Sequence, residues 1–194
     1  MRCDIVLAGV GGQGVLSISA IIAAAALEEG LYVKQSEVHG MSQRGGAVQA
    51  NLRISDSPIG SDLIPRGRAT MILSMEPMES LRYLPYLSPE GTLITASKPV
   101  LNIAIYPDLE QILDAIRNLP RSILVDADRI ARESGAARST NMVMVGAAAE
   151  LLPIKPEMIH RFIINKFKRK GEKVVDTNIK AFRAGMEAAI CTPT

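Results

Sequence analysis

The stretch DIVLAGVGGQGVLSISAIIAAAALEEG, residues 4–30, decides the fold. An apolar run predicts a strand over 3–8, and it leads into a turn with glycines at 9, 11, 12 and 14. An Ala- and Ile-rich helix is predicted over 14–29 and ends at Gly30, and a second strand is predicted over 31–36. Strand, glycine turn, helix and strand within about thirty residues predict a βαβ unit with parallel strands and a right-handed crossover.

The rest of the chain extends this unit to an α/β sandwich that is rich in strands first and in helices last. Residues 37–46 are predicted to be a polar loop, and 47–54 a half-covered strand because apolar and polar residues alternate there. Segment 71–87 carries Met and Leu that suit a helix core, with a partner interface as the alternative. Further strands are predicted at 71–74, 92–95, 103–105 and 122–126, and further helices near Pro77 and at 108–118, 126–134, 140–152, 155–169 and 176–190.

Composition limits the function classes. The net charge is +2, aromatic residues make up 4% and there is no Trp, which argues against nucleic-acid binding. Two cysteines cannot supply the four thiolates of an iron–sulfur cluster, and two histidines exclude a histidine-rich metal site. Apolar runs are too short to span a bilayer, and Met1–Asp4 leads directly into a strand, so we expect a single cytoplasmic domain over 1–194.

The glycine loop, Gly9–Gly14, predicts an anion site. Glycine allows positive φ and close backbone approach, and amides at the start of the next helix favour a phosphate. A tight turn without a ligand is the simpler alternative. A dinucleotide site would require an acid at the end of the second strand, where Glu37 comes late and Gln13 is unusual in the fingerprint.

A second polar stretch, Ser36–Gly46, follows the predicted second strand and is expected beside the first loop, at the edge where open α/β sheets bind ligands. Arg44, between Gln43 and two glycines, is a candidate anion clamp, and His39 a candidate acid or base or a surface group. Farther along, Ser139 or Thr140 is a predicted helix N-cap with Asn141 facing the ligand crevice. The basic run 166–173 is interpreted as a solvated helix end, with a partner contact as the alternative.

Three segments together resemble one protein family: GVGGQGV at 9–15, SEVHGMSQRGGAVQANLRIS at 36–55 and STNMVMVGA at 139–147. They resemble the gamma-type domain of the 2-oxoacid:ferredoxin oxidoreductases over nearly the whole chain. Within that family VHGMSQRGG is most similar to the small subunit of the indolepyruvate branch. The resemblance implies a Rossmann-like three-layer α/β sandwich with a mixed, mainly parallel sheet and a helical C-terminal part.

The resemblance also implies a chemistry. Such enzymes decarboxylate a 2-oxoacid on thiamine diphosphate, pass electrons through [4Fe-4S] clusters to ferredoxin and form an acyl-CoA. Thiamine diphosphate and clusters are expected on a large alpha subunit, while this domain helps form the coenzyme A site and is inactive alone. No catalytic base is implied. The cofactor-binding candidates are Gly11, Gly12, Gln13, Gly14, Glu37, His39, Gly40, Arg44, Gly45, Gly46 and Asn141.

Two other functions remain open from the residues. One is a free-standing Rossmann-type enzyme with NAD(P) or FAD, and the other is an assembly module with a vestigial site.

Overall fold

A computed structural model describes residues 1–39, 45–101, 103 and 105–190, with the side chain of His39 excepted. The strands are β1 (Arg2–Val10), β2 (Tyr32–His39), β3 (Ala47–Ser55), β4 (Ala69–Ser74), β5 (Leu87–Ala96) and β6 (Ser122–Val125). The helices are α1 (Val15–Glu28), α2 (Pro77–Arg82), α3 (Leu109–Arg117), α4 (Ala127–Glu133), α5 (Thr140–Ala148), α6 (Pro156–Phe167) and α7 (Glu172–Ile190). None of the described helices is long and apolar enough to cross a membrane.

The strands form one sheet in the order β2-β3-β1-β4-β5-β6. The pairs β1–β4, β4–β5 and β5–β6 are parallel, and β3 runs antiparallel to both β1 and β2. The predicted mixed, mainly parallel sheet is therefore confirmed. The simple βαβ unit is corrected, because β1 and β2 point the same way but β3 lies between them. The chain returns from β2 as a hairpin, and hairpin pairing is local and needs no crossover.

Strand β3 is more deeply buried than the half-covered strand that alternation predicted, since every residue from Ala50 to Ser55 is buried. Its apolar side chains face the helices of one layer. The polar ones face the other side, where Arg53 bonds Asp4 at 2.9 Å and the carbonyls of Ser61 and Leu63 at 2.7 and 2.8 Å. A buried charge is tolerated when it is paired and hydrogen-bonded. The alternating apolar and polar residues of β3 from Ala50 to Ser55 therefore face two different buried environments, and neither face is exposed to solvent there.

Two helical layers enclose the sheet. Side chains of α1, α4, α5, α6 and α7 join one apolar core, and those of α2 and α3 pack on the opposite face. In the predicted interface segment 71–87, Met71 and Met75 are 2% and 3% exposed and belong to the first core. Met78, Leu81, Leu84 and Leu87 are partly buried against the second core. These side chains pack in the protein's own two cores, as the core interpretation predicted, and the partner interface stays a prediction.

Helices α5 and α7 approach through backbone contact. A Cβ at Gly146 would lie 2.0 Å from the Phe182 carbonyl oxygen, and one at Gly185 would lie 2.0 Å from that of Val143. Glycine is therefore required on both helices. The small residues of α5 serve this helix–helix contact as well as the predicted packing on the sheet.

Several boundaries differ from prediction. Residues 37–39 belong to β2, since Glu37 pairs with Ala50 and His39 with Val48. The predicted strand 103–105 is wrong, because Ile103 and Ile105 lie in bends and are 45% and 87% exposed. Helix α7 begins at Glu172, after Gly171 with φ +97°. Pairing with β3 extends β2, whereas the strand at 103–105 was predicted from local apolarity alone.

Candidate functional site

The glycine loop joins the buried end of β1 to α1. Gly12 and Gly14 have φ values of +103° and +83°, a region that L side chains rarely adopt. Gly14 is the N-cap of α1, and neither a capping side chain nor an acidic residue lies in the first turn. The amides of Gly12, Gly14, Val15 and Leu16 bond no other residue that the structure describes. These donors and the positive end of the helix dipole together favour an anion.

Gln13 fixes the shape of this loop. Its Oε1 accepts from the Val10 amide at 2.7 Å, and its Nε2 donates to the Met75 carbonyl at 2.9 Å. A Cβ at Gly9 would lie 2.9 Å from Oε1, so Gly9 leaves the space in which the side-chain amide sits. The side chain thus ties the end of β1 to the end of β4. Gln13 was predicted beside a ligand, and its observed contacts are with the backbone.

The second predicted loop lies beside the first. The Gly11 amide donates to the Gly46 carbonyl at 2.8 Å, and the Gly45 amide donates to the Gly11 carbonyl at 3.4 Å. Pairing of Val10 with Ala47 sets this register. Gly45 has φ +79°. Two glycine motifs separated by about thirty residues in sequence thus form one backbone-lined edge, while Gly40, Arg44 and the His39 side chain lie outside the described residues.

Asn141 lies against the glycine loop. A Cβ at Gly14 would lie 2.8 Å from Asn141 Nδ2, so the side-chain amide borders the N-terminus of α1. Ser139 is the N-cap residue of α5, as one of the two predicted alternatives, but its side chain makes no capping bond. The first turn of α5 therefore lies next to the first turn of α1, and Asn141 lies against the glycine loop, while its contact with a ligand stays a prediction.

Glu37 does not lie where a dinucleotide site requires its acid. It is exposed on β2, and β3 separates β2 from β1. Two strand spacings of about 4.8 Å put β2 roughly 10 Å from the strand that carries the glycine loop. A Rossmann ribose acid ends the strand directly beside the first one. This topology disfavours the nicotinamide alternative.

The sequence did not indicate the residues that hold the glycine loop from the end of β4. Met75, which accepts from Gln13, precedes Glu76, a buried residue that caps α2 by accepting from the Glu79 amide at 2.7 Å. Tyr106 donates to the Glu76 carboxylate, and burial and this hydrogen bond raise the pKa of Tyr106. No local signal marks these partners, because Gln13 and Met75 are 62 residues apart. Within the described part of the chain, no group of three His, Cys, Asp or Glu could hold a metal ion.

Comparison with protein families matches residues 4–188 to the pyruvate ferredoxin/flavodoxin oxidoreductase family. The chain belongs to this family. A curated relative, indolepyruvate oxidoreductase subunit IorB of Archaeoglobus fulgidus, is 39% identical over 199 residues, covering 98% of this chain and 96% of its own. The predicted resemblance and the assignment as an oxidoreductase subunit are thereby confirmed.

Solved structures of the family share the fold. The keto/oxoacid ferredoxin oxidoreductase gamma subunit of Geobacter sulfurreducens superposes with a TM-score of 0.72 at 25% identity, covering 98% of this chain and 99% of its own. A second structure is the 2-oxoglutarate:ferredoxin oxidoreductase of Magnetococcus marinus with 2-oxoglutarate, coenzyme A and succinyl-CoA bound. It superposes with a TM-score of 0.80 at 24% identity. It covers 99% of this chain and 32% of that longer chain. The predicted three-layer α/β fold class is confirmed.

Proposed function

We propose that this chain is the small subunit of a heteromeric aryl-pyruvate:ferredoxin oxidoreductase of the indolepyruvate type. The complex oxidatively decarboxylates the 2-oxoacid, passes the electrons to ferredoxin and forms an acyl-CoA. This chain contributes one wall of the coenzyme A and thiamine diphosphate pocket and is inactive alone. The observation that carries the proposal is the direct bonding of Gly11 to Gly45 and Gly46, which joins the two family motifs into one edge.

The chemistry of this edge suits a diphosphate. The amides of Gly12, Gly14, Val15 and Leu16, which bond none of the described residues, can donate to phosphate oxygens without a cationic side chain. Both coenzyme A and thiamine diphosphate carry a diphosphate group. Gln13 contributes by holding the loop in the donor conformation, and Asn141 borders the same space.

The small number of cysteines in this chain supports the proposal of a large partner subunit. The residues described include one cysteine, Cys3, which is buried, and burial raises the pKa of its thiol. Thiamine diphosphate and clusters are therefore proposed on the partner. Leu101 and Ile105 are 74% and 87% exposed after β5, at the edge that holds the glycine loop. We propose that the partner subunit covers these two side chains. The cytoplasmic location stays a prediction.

The first experiment tests the assignment. The chain is expressed alone and together with its large partner subunit, and 2-oxoacid-dependent reduction of a viologen dye is measured with coenzyme A. We expect activity only in the mixture, with a higher kcat/KM for indolepyruvate than for pyruvate or 2-oxoglutarate. NAD-dependent activity of the isolated chain would contradict the proposal. Preference for another 2-oxoacid would correct only the substrate.

The second experiment tests the anion site. Leu16→Glu adds a carboxylate to the first turn of α1, where the side chain is 40% exposed. It should stabilise the helix by about 0.5 kcal/mol through the dipole, yet repel a phosphate and raise the KM for coenzyme A. Leu16→Gln is the uncharged control. An unchanged KM in Leu16→Glu would contradict an anion at the loop, and Arg44→Ala should raise this KM as well.

A further inference from the structure

A cavity lies at the opposite end of the sheet from the glycine loop. It has a volume of about 460 Å³ and is lined by Arg2, Asp4, Pro65, Arg68 and Thr70. The first two residues lie at the start of β1, and Thr70 bonds Asp4 from the neighbouring parallel strand β4. Strand β1 has nine residues and rises by about 3.3 Å per residue, so roughly 26 Å separates the cavity from the glycine loop. The cavity is therefore separate from the proposed coenzyme A site.

A buried carboxylate holds two arginines at this cavity. The Asp4 side chain is 2% exposed. Its Oδ1 accepts from Arg53 Nε at 2.9 Å, and its Oδ2 accepts from Arg2 Nε at 2.7 Å. Arg53 is fully engaged, because its Nη1 also donates to two backbone carbonyls and its Nη2 lies 3.4 Å from Asp4 Oδ2. One carboxylate thus pairs with two guanidinium groups, which leaves the cluster with an excess of positive charge.

One edge of the Arg2 guanidinium group remains available to a ligand. Its Nε is bonded to Asp4, which fixes the direction of the planar group, whereas Nη1 and Nη2 bond none of the described residues. Two neighbouring N–H donors on a fixed plane bind the paired oxygens of a carboxylate or a phosphate. The Arg2 side chain is 56% exposed, so an ion from solvent can reach this edge.

A second cation lines the same cavity. The Arg68 guanidinium group forms no hydrogen bond or ion pair with any residue in the described part of the chain. This differs from Arg82, Arg121 and Arg129, each of which pairs with a nearby acid. Asp4 is the single acid among the described lining residues, and it is already paired. Two guanidinium groups around one concave surface concentrate anions there.

The lining restricts the class of anion. Apart from Pro65, every described lining residue is polar or charged, and none is aromatic. A nucleotide base or an acyl chain would therefore bury little apolar surface here, although pockets for such groups are mostly apolar. Thr70 bonds the backbone of Asp4 through its hydroxyl, so the two arginines are the donors left for a ligand. A small ion with two negative charges matches this donor set.

We propose that this cavity binds a small dianion, a phosphate or a short dicarboxylate, between the Arg2 and Arg68 guanidinium groups. Arg2 takes a pair of oxygens through Nη1 and Nη2, and Arg68 neutralises the second charge. The bound ion joins the start of β1 to the connection between β3 and β4. Because this arrangement exists only in the folded chain, the ion stabilises the fold by mass action.

Calorimetric titration of the full chain with inorganic phosphate and with malonate, at constant ionic strength in chloride buffer, measures this binding. Arg68→Gln should weaken the affinity for the dianion about tenfold, the effect of losing a charge-assisted hydrogen bond. Acetate, which carries one charge, should bind about tenfold more weakly than malonate to the wild-type chain. The same titrations in Leu16→Glu separate this cavity from the glycine loop, since that substitution repels an anion only at α1. The affinity of the cavity should be unchanged in Leu16→Glu.

The variants carry their own controls. Arg68→Gln removes no side-chain contact within the described residues, so folding should be intact. Arg2→Gln should weaken binding by a similar factor, and thermal unfolding without the dianion measures what the lost bond to Asp4 does to stability. Arg66→Gln, an exposed neighbour outside the cavity lining, is the matched control and should leave the affinity unchanged.

Three results would overturn the proposal. One is the absence of saturable binding of both dianions, and another is equal affinity in the wild-type chain and in Arg68→Gln. The third is loss of binding in Leu16→Glu with full binding in Arg68→Gln, which would place the ion at the glycine loop. None of these measurements uses the oxidoreductase reaction, so the proposed function stands or fails separately.

Discussion

Glycines serve opposite purposes in two regions of this molecule. Gly146 and Gly185 let α5 and α7 meet, since an added Cβ at either would lie 2.0 Å from a backbone oxygen of the other helix. Gly12 in the loop after β1 has φ +103° and open space where its Cβ would be. The first pair is required by packing and the second residue by backbone conformation, and under the proposed function Gly12 also leaves room for the ligand. Stability and function should therefore separate when each is substituted.

The largest effect is expected at the helix contact. Gly146→Ala or Gly185→Ala should lower the free energy of unfolding by about 3 kcal/mol, because rigid backbone must move. Urea unfolding measures this loss. Gly60→Ala is the control, since nothing lies within 4 Å of the added methyl, and it should change stability by less than about 0.5 kcal/mol. Equal effects at Gly60 and Gly146 would contradict the close crossing of α5 and α7.

The next effect is expected at Gln13, whose side chain holds the glycine loop in place. Gln13→Leu keeps the side-chain volume but leaves the Val10 amide and the Met75 carbonyl without their partner. Unfolding free energy should fall by about 2 kcal/mol, the cost of unsatisfied buried groups, and the KM for coenzyme A should rise. Gln13→Glu retains the acceptor for Val10 and loses the donor to Met75, so its loss should be smaller at acid pH, where the carboxyl can donate. A Gln13→Leu protein as stable as wild type would show that the two hydrogen bonds of Gln13 do not stabilise the fold.

A comparable effect is expected at Gly14. An alanine there adopts φ +83° and meets Asn141 Nδ2 at 2.8 Å, for a combined cost of about 2 kcal/mol. Gly14→Ala in an Asn141→Ser background should recover part of this, because the flexible amide is removed. A double-mutant cycle on unfolding free energies measures the coupling. Strict additivity would mean that Asn141 does not border the loop.

The smallest loss of stability is expected at Gly12. Gly12→Ala meets no atom within 4 Å, so only backbone strain at φ +103° remains, about 1 kcal/mol. Its methyl group nevertheless occupies open space beside the Gly12 amide, so the KM for coenzyme A should rise although little stability is lost. Gly146→Ala should show the reverse, with normal kinetic constants per folded molecule. A Gly12→Ala complex with unchanged KM would place the ligand elsewhere.

Much of the fold could be predicted from local pattern. The strand, glycine turn and helix over the first thirty residues follow from apolar runs and glycine conformations. The burial of both faces of β3 could not be predicted, because its alternating apolar and polar residues are also compatible with a half-exposed strand. Its polar side is buried because Arg53 pairs with Asp4, 49 residues away, and bonds the Ser61 and Leu63 carbonyls. Likewise, Gln13 gave no local sign that its partner is Met75.

The sequence by itself determined the family, the βα glycine loop and the residue types from which an anion site can be built. The loop follows from backbone freedom and short-range periodicity, which are local properties, and the family follows from the match of the sequence to known members. The tertiary structure decided that Gly11 bonds Gly45 and Gly46, that β3 separates Glu37 from the loop, and that Arg2 and Arg68 share one cavity. Those relations depend on strand pairing and helix packing between distant segments, and their free energy appears only when the whole core assembles.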